Sequence, residues 1–187
     1  MSMLRRKPAA ASDRFFIMPG PSPAPLPASQ PAVPSGRPAP RLAHGRTELS
    51  FSRHGDRWRH RVDVDGRTVA ESVECGPDER WPASPPLVDL STATIAGRPT
   101  FVAIGLAGRS HFSASIHPHP VRPDTLLFEI ACRIHEPAAW IGSTYATGPT
   151  PADVVRITPP AGGAEGLPRT VQWAYTIGPD GIATGTG

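Results

Sequence analysis

The amino-acid sequence predicts an all-β protein: a single antiparallel β-sandwich, or partly closed barrel, of about nine strands behind a disordered Pro-rich N-terminal arm. Several segments alternate between apolar and polar side chains, which is typical of half-buried strands. Turn residues separate these segments, and no segment has the 3.6-residue period of an amphipathic helix. We therefore predict an arm at residues 1–45, a β domain at 46–178 and a flexible C-terminal tail at 179–187.

The predicted arm differs from the rest of the chain in proline content and in charge. Residues 1–45 hold ten prolines, which fix φ and remove backbone donors, so neither a helix nor a sheet ladder propagates there. Six basic residues against Asp13 give this segment a net charge of +5. Residues 46–187 carry 13 arginines against 15 acids, a net charge of −2. We therefore expect nucleic acid as a partner only through the basic arm.

The first hairpin of the predicted domain turns at Asp65-Gly66, a sequence typical of a type I′ turn. The flanking segments, 57–65 and 67–73, both alternate. A two-residue loop predicts four opposed pairs: Val64 with Arg67, Val62 with Val69, His60 with Glu71, and Trp58 with Val73. The pair of His60 and Glu71 would lie on an apolar face, where a structural pair is the simpler interpretation than a catalytic dyad.

The stretch from Thr100 to Ile134 predicts three consecutive strands. Residues 100–107 are almost continuously apolar, so we expect a central strand that is buried on both faces. Residues 110–117 and 125–134 alternate, and three prolines exclude a strand between them. Folding the chain about Val121 predicts five opposed pairs: Ile116 with Leu126, Ala114 with Phe128, Phe112 with Ile130, Ser113 with Glu129, and His111 with Ala131. A slip by one residue would turn each apolar set to the opposite face.

The remaining predicted strands are 87–95, 140–146, 154–157 and 170–177, separated by turns rich in glycine and proline. Apolar residues of the alternating segments form the expected core. Its predicted members are Leu49, Phe51, Trp58, Val62, Phe101, Ile104, Phe112, Phe128, Ile130, Trp140 and Trp173.

The polar face of the central hairpin carries the first candidate site. In the predicted register Ser113 lies opposite Glu129 with His111 as a diagonal neighbour, which would assemble the hydroxyl, carboxylate and imidazole of a nucleophilic hydrolase. A Gly-x-Ser-x-Gly elbow is missing from the sequence, and a flat strand face offers no evident oxyanion hole. The alternative is a solvated sheet face on which His111, Glu129 and Arg133 bind a ligand without catalysis.

His117 and His119 are the candidate metal ligands, because two histidines at i and i+2 of a strand point the same way. The prolines around them break the strand, and Glu129 comes too late to complete the ligand set. Solvated turn histidines are the alternative, and we expect no cofactor.

Cysteine content and hydropathy bear on disulfides and location. Cys75 and Cys132 permit one disulfide, and the sequence leaves open whether they pair. No apolar run approaches the roughly 20 residues that span a bilayer. The apolar segment 15–18 is too short for the core of a secretory signal. We therefore expect a cytoplasmic protein without a membrane partner.

A complete β scaffold without a coherent catalytic set favours a non-enzymatic binding or interaction module, whose partner is an unknown protein or small ligand. The alternative is an enzyme. It would be a hydrolase that uses His111, Ser113 and Glu129, or a metal-dependent enzyme that uses His117 and His119. Strand order and oligomeric state do not follow from the sequence.

Overall fold

A computed structural model of the 187-residue chain describes residues 39–74, 81–150, 152–161 and 166–185. The chain separates into two units with a boundary between Gly36 and Arg37, and the described residues belong to the second unit. Most of the predicted arm lies outside the described residues, so its disorder stays a prediction.

Every helix or strand in the described part of the chain is a β-strand. The twelve strands are β1 (Arg41–His44), β2 (Thr47–His54), β3 (Arg57–Val64), β4 (Arg67–Ser72), β5 (Asp89–Ile95), β6 (Arg98–Ala107), β7 (Ser110–Pro118), β8 (Leu126–Ile134), β9 (Ser143–Ala146), β10 (Val154–Ile157), β11 (Arg169–Gly178) and β12 (Gly181–Thr184). The prediction of an all-β chain is confirmed, and the prediction of about nine strands was wrong. A helix able to cross a membrane does not occur in the described ranges.

The strands form two antiparallel sheets of six strands each. The first sheet has the order β1-β2-β3-β4-β9-β10, and the second has the order β12-β11-β8-β7-β6-β5. Side chains of both sheets contribute to one hydrophobic core. Phe51 of β2 packs against Phe101 of β6 with ring centroids 4.8 Å apart, and Phe128 of β8 stacks on Tyr175 of β11 at 5.0 Å. The first contact joins the two sheets and the second lies within the second sheet, and both add to the burial of apolar surface in the core.

Two short strands lie outside the predicted domain bounds of 46 and 178, which were therefore too narrow. β1 lies in the segment assigned to the arm, and β12 lies in the segment assigned to a flexible tail. Each is joined to its neighbour by a turn that contains a glycine with positive φ, Gly45 at 59° and Gly181 at 86°. Pairing with β2 and with β11 supplies the backbone hydrogen bonds that make a four-residue strand stable.

β6 is buried on one face only, which corrects the expectation of a central strand buried on both faces. Phe101 and Ala107 lie in the core, whereas Ile104 and Leu106 are 51% and 57% exposed. β6 is the second strand from the edge of its sheet. A continuous apolar run cannot distinguish double burial from an exposed apolar stripe, so Ile104 was wrongly placed in the core. Trp58 and Trp140, also predicted core residues, are only partly buried.

The β3–β4 hairpin keeps the predicted turn but not the predicted register. Asp65 and Gly66 both have positive φ, and Val64 pairs with Arg67 as predicted. The register then shifts, so that Val62 pairs with Ala70. The predicted pair of His60 and Glu71 was therefore wrong: Glu71 pairs with Arg61, and its carboxylate lies 3.2 Å from the Arg59 guanidinium. A β-bulge inserts one extra residue, which turns every later side chain of that strand to the other face.

The register predicted for the central hairpin was wrong by two residues. The observed pairs are Pro118 with Leu126, Ile116 with Phe128, Ala114 with Ile130, Phe112 with Cys132, Ser115 with Glu129, Ser113 with Ala131, and His111 with Arg133. A shift of two residues leaves every side chain on its predicted face, so alternation alone could not detect it. The centre of the hairpin therefore moves by one residue, from Val121 to Arg122, and the backbone N–H of His119 donates to the Thr125 carbonyl at 2.8 Å.

Candidate functional site

The outer faces of the two sheets differ in how their charges are satisfied. On the first sheet the charged groups pair with one another: Arg41 with Glu48 at 2.9 Å, Arg59 with Glu71 at 3.2 Å and Arg61 with Asp63 at 3.1 Å. Such surface ion pairs are ordinary features of a solvated face. The second sheet instead exposes the apolar side chains of Ile104 and Leu106 on β6, and its Glu129 carboxylate contacts Ser115 and His117 rather than an arginine. Exposed apolar surface of this kind is more typical of a binding surface.

The outer face of the second sheet forms one wall of a groove of about 1010 Å³. The segment 156–161 forms another wall. Polar groups come from β7, β8 and β11, and apolar groups come from β5, β6 and the prolines that follow β10. The residues on which the argument depends are Ser113, Ser115, Glu129, Gln172, Ile95, Val102, Pro159 and Pro160.

Glu129 is held in place from two sides at the groove. The Ser115 hydroxyl donates to Glu129 Oε2 at 3.0 Å, and His117 Nε2 lies 3.1 Å from the same oxygen. His117 Nδ1 lies 2.9 Å from the Pro118 carbonyl oxygen. The observed register produces this arrangement, because it places Ser115 opposite Glu129. His117 then lies two residues further along β7, on the same face.

This geometry positions a carboxylate and does not activate a nucleophile. In a nucleophilic triad the imidazole lies between the hydroxyl and the carboxylate, so that it can accept the hydroxyl proton. Here the carboxylate oxygen lies between the hydroxyl of Ser115 and the imidazole of His117. The arrangement can hold Glu129 in one orientation for an electrostatic contact with a ligand.

The structure distributes the predicted site residues over two depressions. Ser113 lines both of them, and Glu129 lines the groove. His111 and Arg133 pair with each other and line a neighbouring apolar hollow of about 550 Å³. The His111 ring lies 5.7 Å from the His135 ring, and Arg133 donates to the Thr170 hydroxyl at 3.1 Å. The register thus places His111 four residue pairs away from the pair of Ser115 and Glu129, and the hydroxyl, imidazole and carboxylate of the predicted set do not meet.

The two histidines predicted as metal ligands already have other partners. His119 Nδ1 accepts the backbone N–H groups of Val121 and Arg122 at 3.2 and 2.9 Å. Burial, followed by the positive charge of Arg122, lowers the pKa of His119. Both ring nitrogens of His117 make the contacts described above. Among the described residues no group of three or more His, Cys, Asp or Glu side chains could hold a metal ion.

A buried polar cluster between the sheets was missed by the sequence analysis. His60 Nε2 lies 2.7 Å from the Tyr145 hydroxyl, which lies 2.7 Å from the Tyr175 hydroxyl of the other sheet. The Ser72 hydroxyl accepts the backbone N–H of His60 at 3.0 Å and donates to Glu74 Oε1 at 2.6 Å. Alternation in β3 already placed His60 on the apolar face. Its partners could not be found, because Tyr145 is 85 residues away and the bulge had displaced Ser72.

Burial dominates the electrostatics of this cluster. It lowers the pKa of His60 to about 3 and raises the pKa of Glu74 to about 7. It also raises the pKa of Tyr175 to about 12 and that of Tyr145 well above its ordinary value. Within the described ranges, His60 Nδ1 and Glu74 Oε2 are buried atoms without a hydrogen-bond partner. Burial therefore keeps His60 and the two tyrosines uncharged near neutral pH, and it keeps Glu74 protonated below about pH 7.

Cys132 is a free thiol buried in the core on β8. Burial raises the pKa of this thiol to about 12, which makes it a poor nucleophile. Cys75 lies outside the described residues.

Comparison of the chain with protein-family models, with curated proteins and with solved structures gives no match. The class that the coordinates define is an all-β chain of two antiparallel six-stranded sheets. Its function has to be argued from the groove and from the groups that line it.

Proposed function

We propose that the chain folds as a β-sandwich that acts as a non-enzymatic binding module, with a ligand in the groove beside Glu129. The observation that carries this proposal is the Glu129 carboxylate, which Ser115 and His117 hold at a groove of about 1010 Å³. Ligand sites in proteins typically measure about 300–1,000 Å³ and combine apolar walls with a few well-placed polar groups.

The lining of the groove indicates the chemical class of the ligand. Glu129 is an acceptor that favours an amine or amidinium group. Val102 and Ile95 offer apolar surface on one side, and Pro159 and Pro160 lie in the opposite wall. Arg156, the cation of the lining, lies over the Trp140 ring with its guanidinium carbon 5.9 Å from the ring centroid. We therefore propose a cationic small ligand with an apolar body.

Benzylamine and benzamidine are suitable probes, with benzoate as the anionic control of similar shape. We expect chemical-shift changes at Ser115 and Glu129 in a protein NMR titration with either cation, and none with benzoate. Glu129→Gln should weaken binding roughly tenfold, the effect of losing one charge-assisted hydrogen bond.

Glu48→Gln is the matched control, because Glu48 is an exposed carboxylate that pairs with Arg41 on the first sheet. It should bind the probes as the wild type does. Equal affinities of the wild type and Glu129→Gln would contradict the proposal. So would hydrolysis of an ester or amide panel that is lost in Ser115→Ala.

Two parts of the proposal derive from the sequence alone: the disordered state of the Pro-rich arm before β1, which begins at Arg41, and the cytoplasmic location. Binding of nucleic acid or of an acidic partner through the arm would be strongly salt-dependent. Because β1 begins at Arg41, a deletion that tests the arm should end at Pro38.

A further inference from the structure

Within the described part of the chain, the second sheet has one long edge strand without the usual protection against pairing. The described strands give the two sheets four edges, and β1, β10 and β12 have four residues each, whereas β5 has seven. Arg41 lies on β1 and Arg156 on β10, but residues 90–95 of β5 include neither a charge nor a proline. Every residue of β5 except Leu90 is exposed. Proteins usually shorten or charge such edges, because unpaired N–H and C=O groups form a template for another strand.

We propose that β5 is the interface of a homodimer in which the β5 strands of two copies pair antiparallel about Thr92. The two second sheets then form one continuous sheet. A two-fold axis at Thr92 gives a self-complementary set of pairs: Thr92 with Thr92, Ser91 with Ala93, Leu90 with Thr94 and Asp89 with Ile95. Like charges do not face each other in this register, and pairs of small β-branched residues are favourable across antiparallel strands.

The geometry favours a second copy of this chain as the occupant of the edge. The two-fold axis at Thr92 makes the pairing isologous, so the assembly closes at two copies. The pairing uses all seven residues of β5. The other described edges are four residues long and could not match its length. Pairing also brings Ile95 of the second copy into the same cross-strand row as Asp89 and Ile104. Ile95 and Ile104, which are 49% and 51% exposed, then flank Asp89 on the same face.

Charged substitutions at Thr92 test the dimer, because the two-fold axis places both copies of this residue opposite each other. We expect the wild type to sediment at twice the chain mass of 19.8 kDa. Thr92→Lys and Thr92→Glu should each sediment as monomers, because each places like charges opposite one another. An equimolar mixture of the two variants should restore the dimer, which a merely misfolded variant would not do.

Val154→Lys is the matched control, since Val154 is an exposed residue on the edge strand β10 of the other sheet. This variant should remain dimeric. A wild type that stays monomeric into the millimolar range would overturn the proposal, as would open-ended aggregates in place of a dimer. A dimer that survives in both single variants would place the interface elsewhere on the molecule and would equally overturn it.

Discussion

Glu74 is a carboxyl group enclosed by protein at the end of β4, and it makes the stability of the fold depend on pH. Only 6% of the residue is exposed, and among the described residues its carboxyl accepts one hydrogen bond, from Ser72. Burial raises its pKa from 4.5 to about 7. The unfolded chain therefore releases this proton at a lower pH than the folded chain does. Folding stability is consequently lost as the pH rises from about 4.5 to about 7.

Glu74→Gln should remove this loss, because the amide is neutral at every pH. We expect the variant to gain on the order of 2–3 kcal/mol in the free energy of unfolding relative to wild type between about pH 4.5 and about pH 8. Urea denaturation at both ends of this range measures the difference. Glu48→Gln serves as the exposed control and should follow the wild type. Parallel pH profiles for Glu74→Gln and wild type would show that the Glu74 carboxyl is not protonated by burial.

His60 adds a dependence of opposite sign at acidic pH. Burial lowers its pKa from 6.5 to about 3, so the unfolded chain takes up a proton that the folded chain does not. Stability is therefore lost as the pH falls from about 6.5 to about 3. Between about pH 4.5 and about pH 6.5 the effects of Glu74 and His60 oppose each other. The effect of Glu74 alone is seen most clearly above that window.

At the scale of one strand, β6 requires glycine at position 105, because another part of the backbone lies directly against it. A Cβ added there would overlap the backbone carbonyl oxygen of Pro86, which crosses β6 at that point. Gly105→Ala should therefore destabilise the fold by about 1–3 kcal/mol, because backbone has to move. Gly55→Ala is the comparison, since Gly55 has a positive φ but open space around it. It should cost less in the same denaturation measurement, and the opposite ranking would contradict the close approach of Pro86.

The central hairpin shows how far an element can be predicted from its sequence. Alternation assigned the faces of β7 and β8 correctly, because a buried face requires apolar residues at every second position. It could not fix the register, since a slip of two residues preserves those faces. That slip decides which side chains meet: Ser115 is opposite Glu129, whereas Ser113 was predicted to be. A β-bulge in β4 likewise changed which residues pair. It could not be predicted, because no turn residue in the sequence indicates a bulge at that position.

At the scale of the whole molecule, the sequence predicted the fold class but not the difference between the outer faces of the two sheets. Alternating segments and turn residues are properties of local sequence, and they correctly indicated an all-β chain. The contrast between the outer faces depends on which strands are neighbours, which the sequence did not show. Only the assembled second sheet places the exposed Ile104 and Leu106 of β6 in one hollow with Arg133 of β8, and Val102 of β6 in the cross-strand row of Glu129.

The groove beside Glu129 is the proposed binding site, and a crystal structure of the protein with benzamidine tests this proposal most directly. We expect the amidinium group to donate to the Glu129 carboxylate, with the phenyl ring against Val102, which lies in the same cross-strand row. Ser115 and His117 should keep their hydrogen bonds to Oε2. Benzamidine bound only at another surface, or a Glu129 carboxylate that no longer contacts Ser115 and His117, would contradict the proposed site.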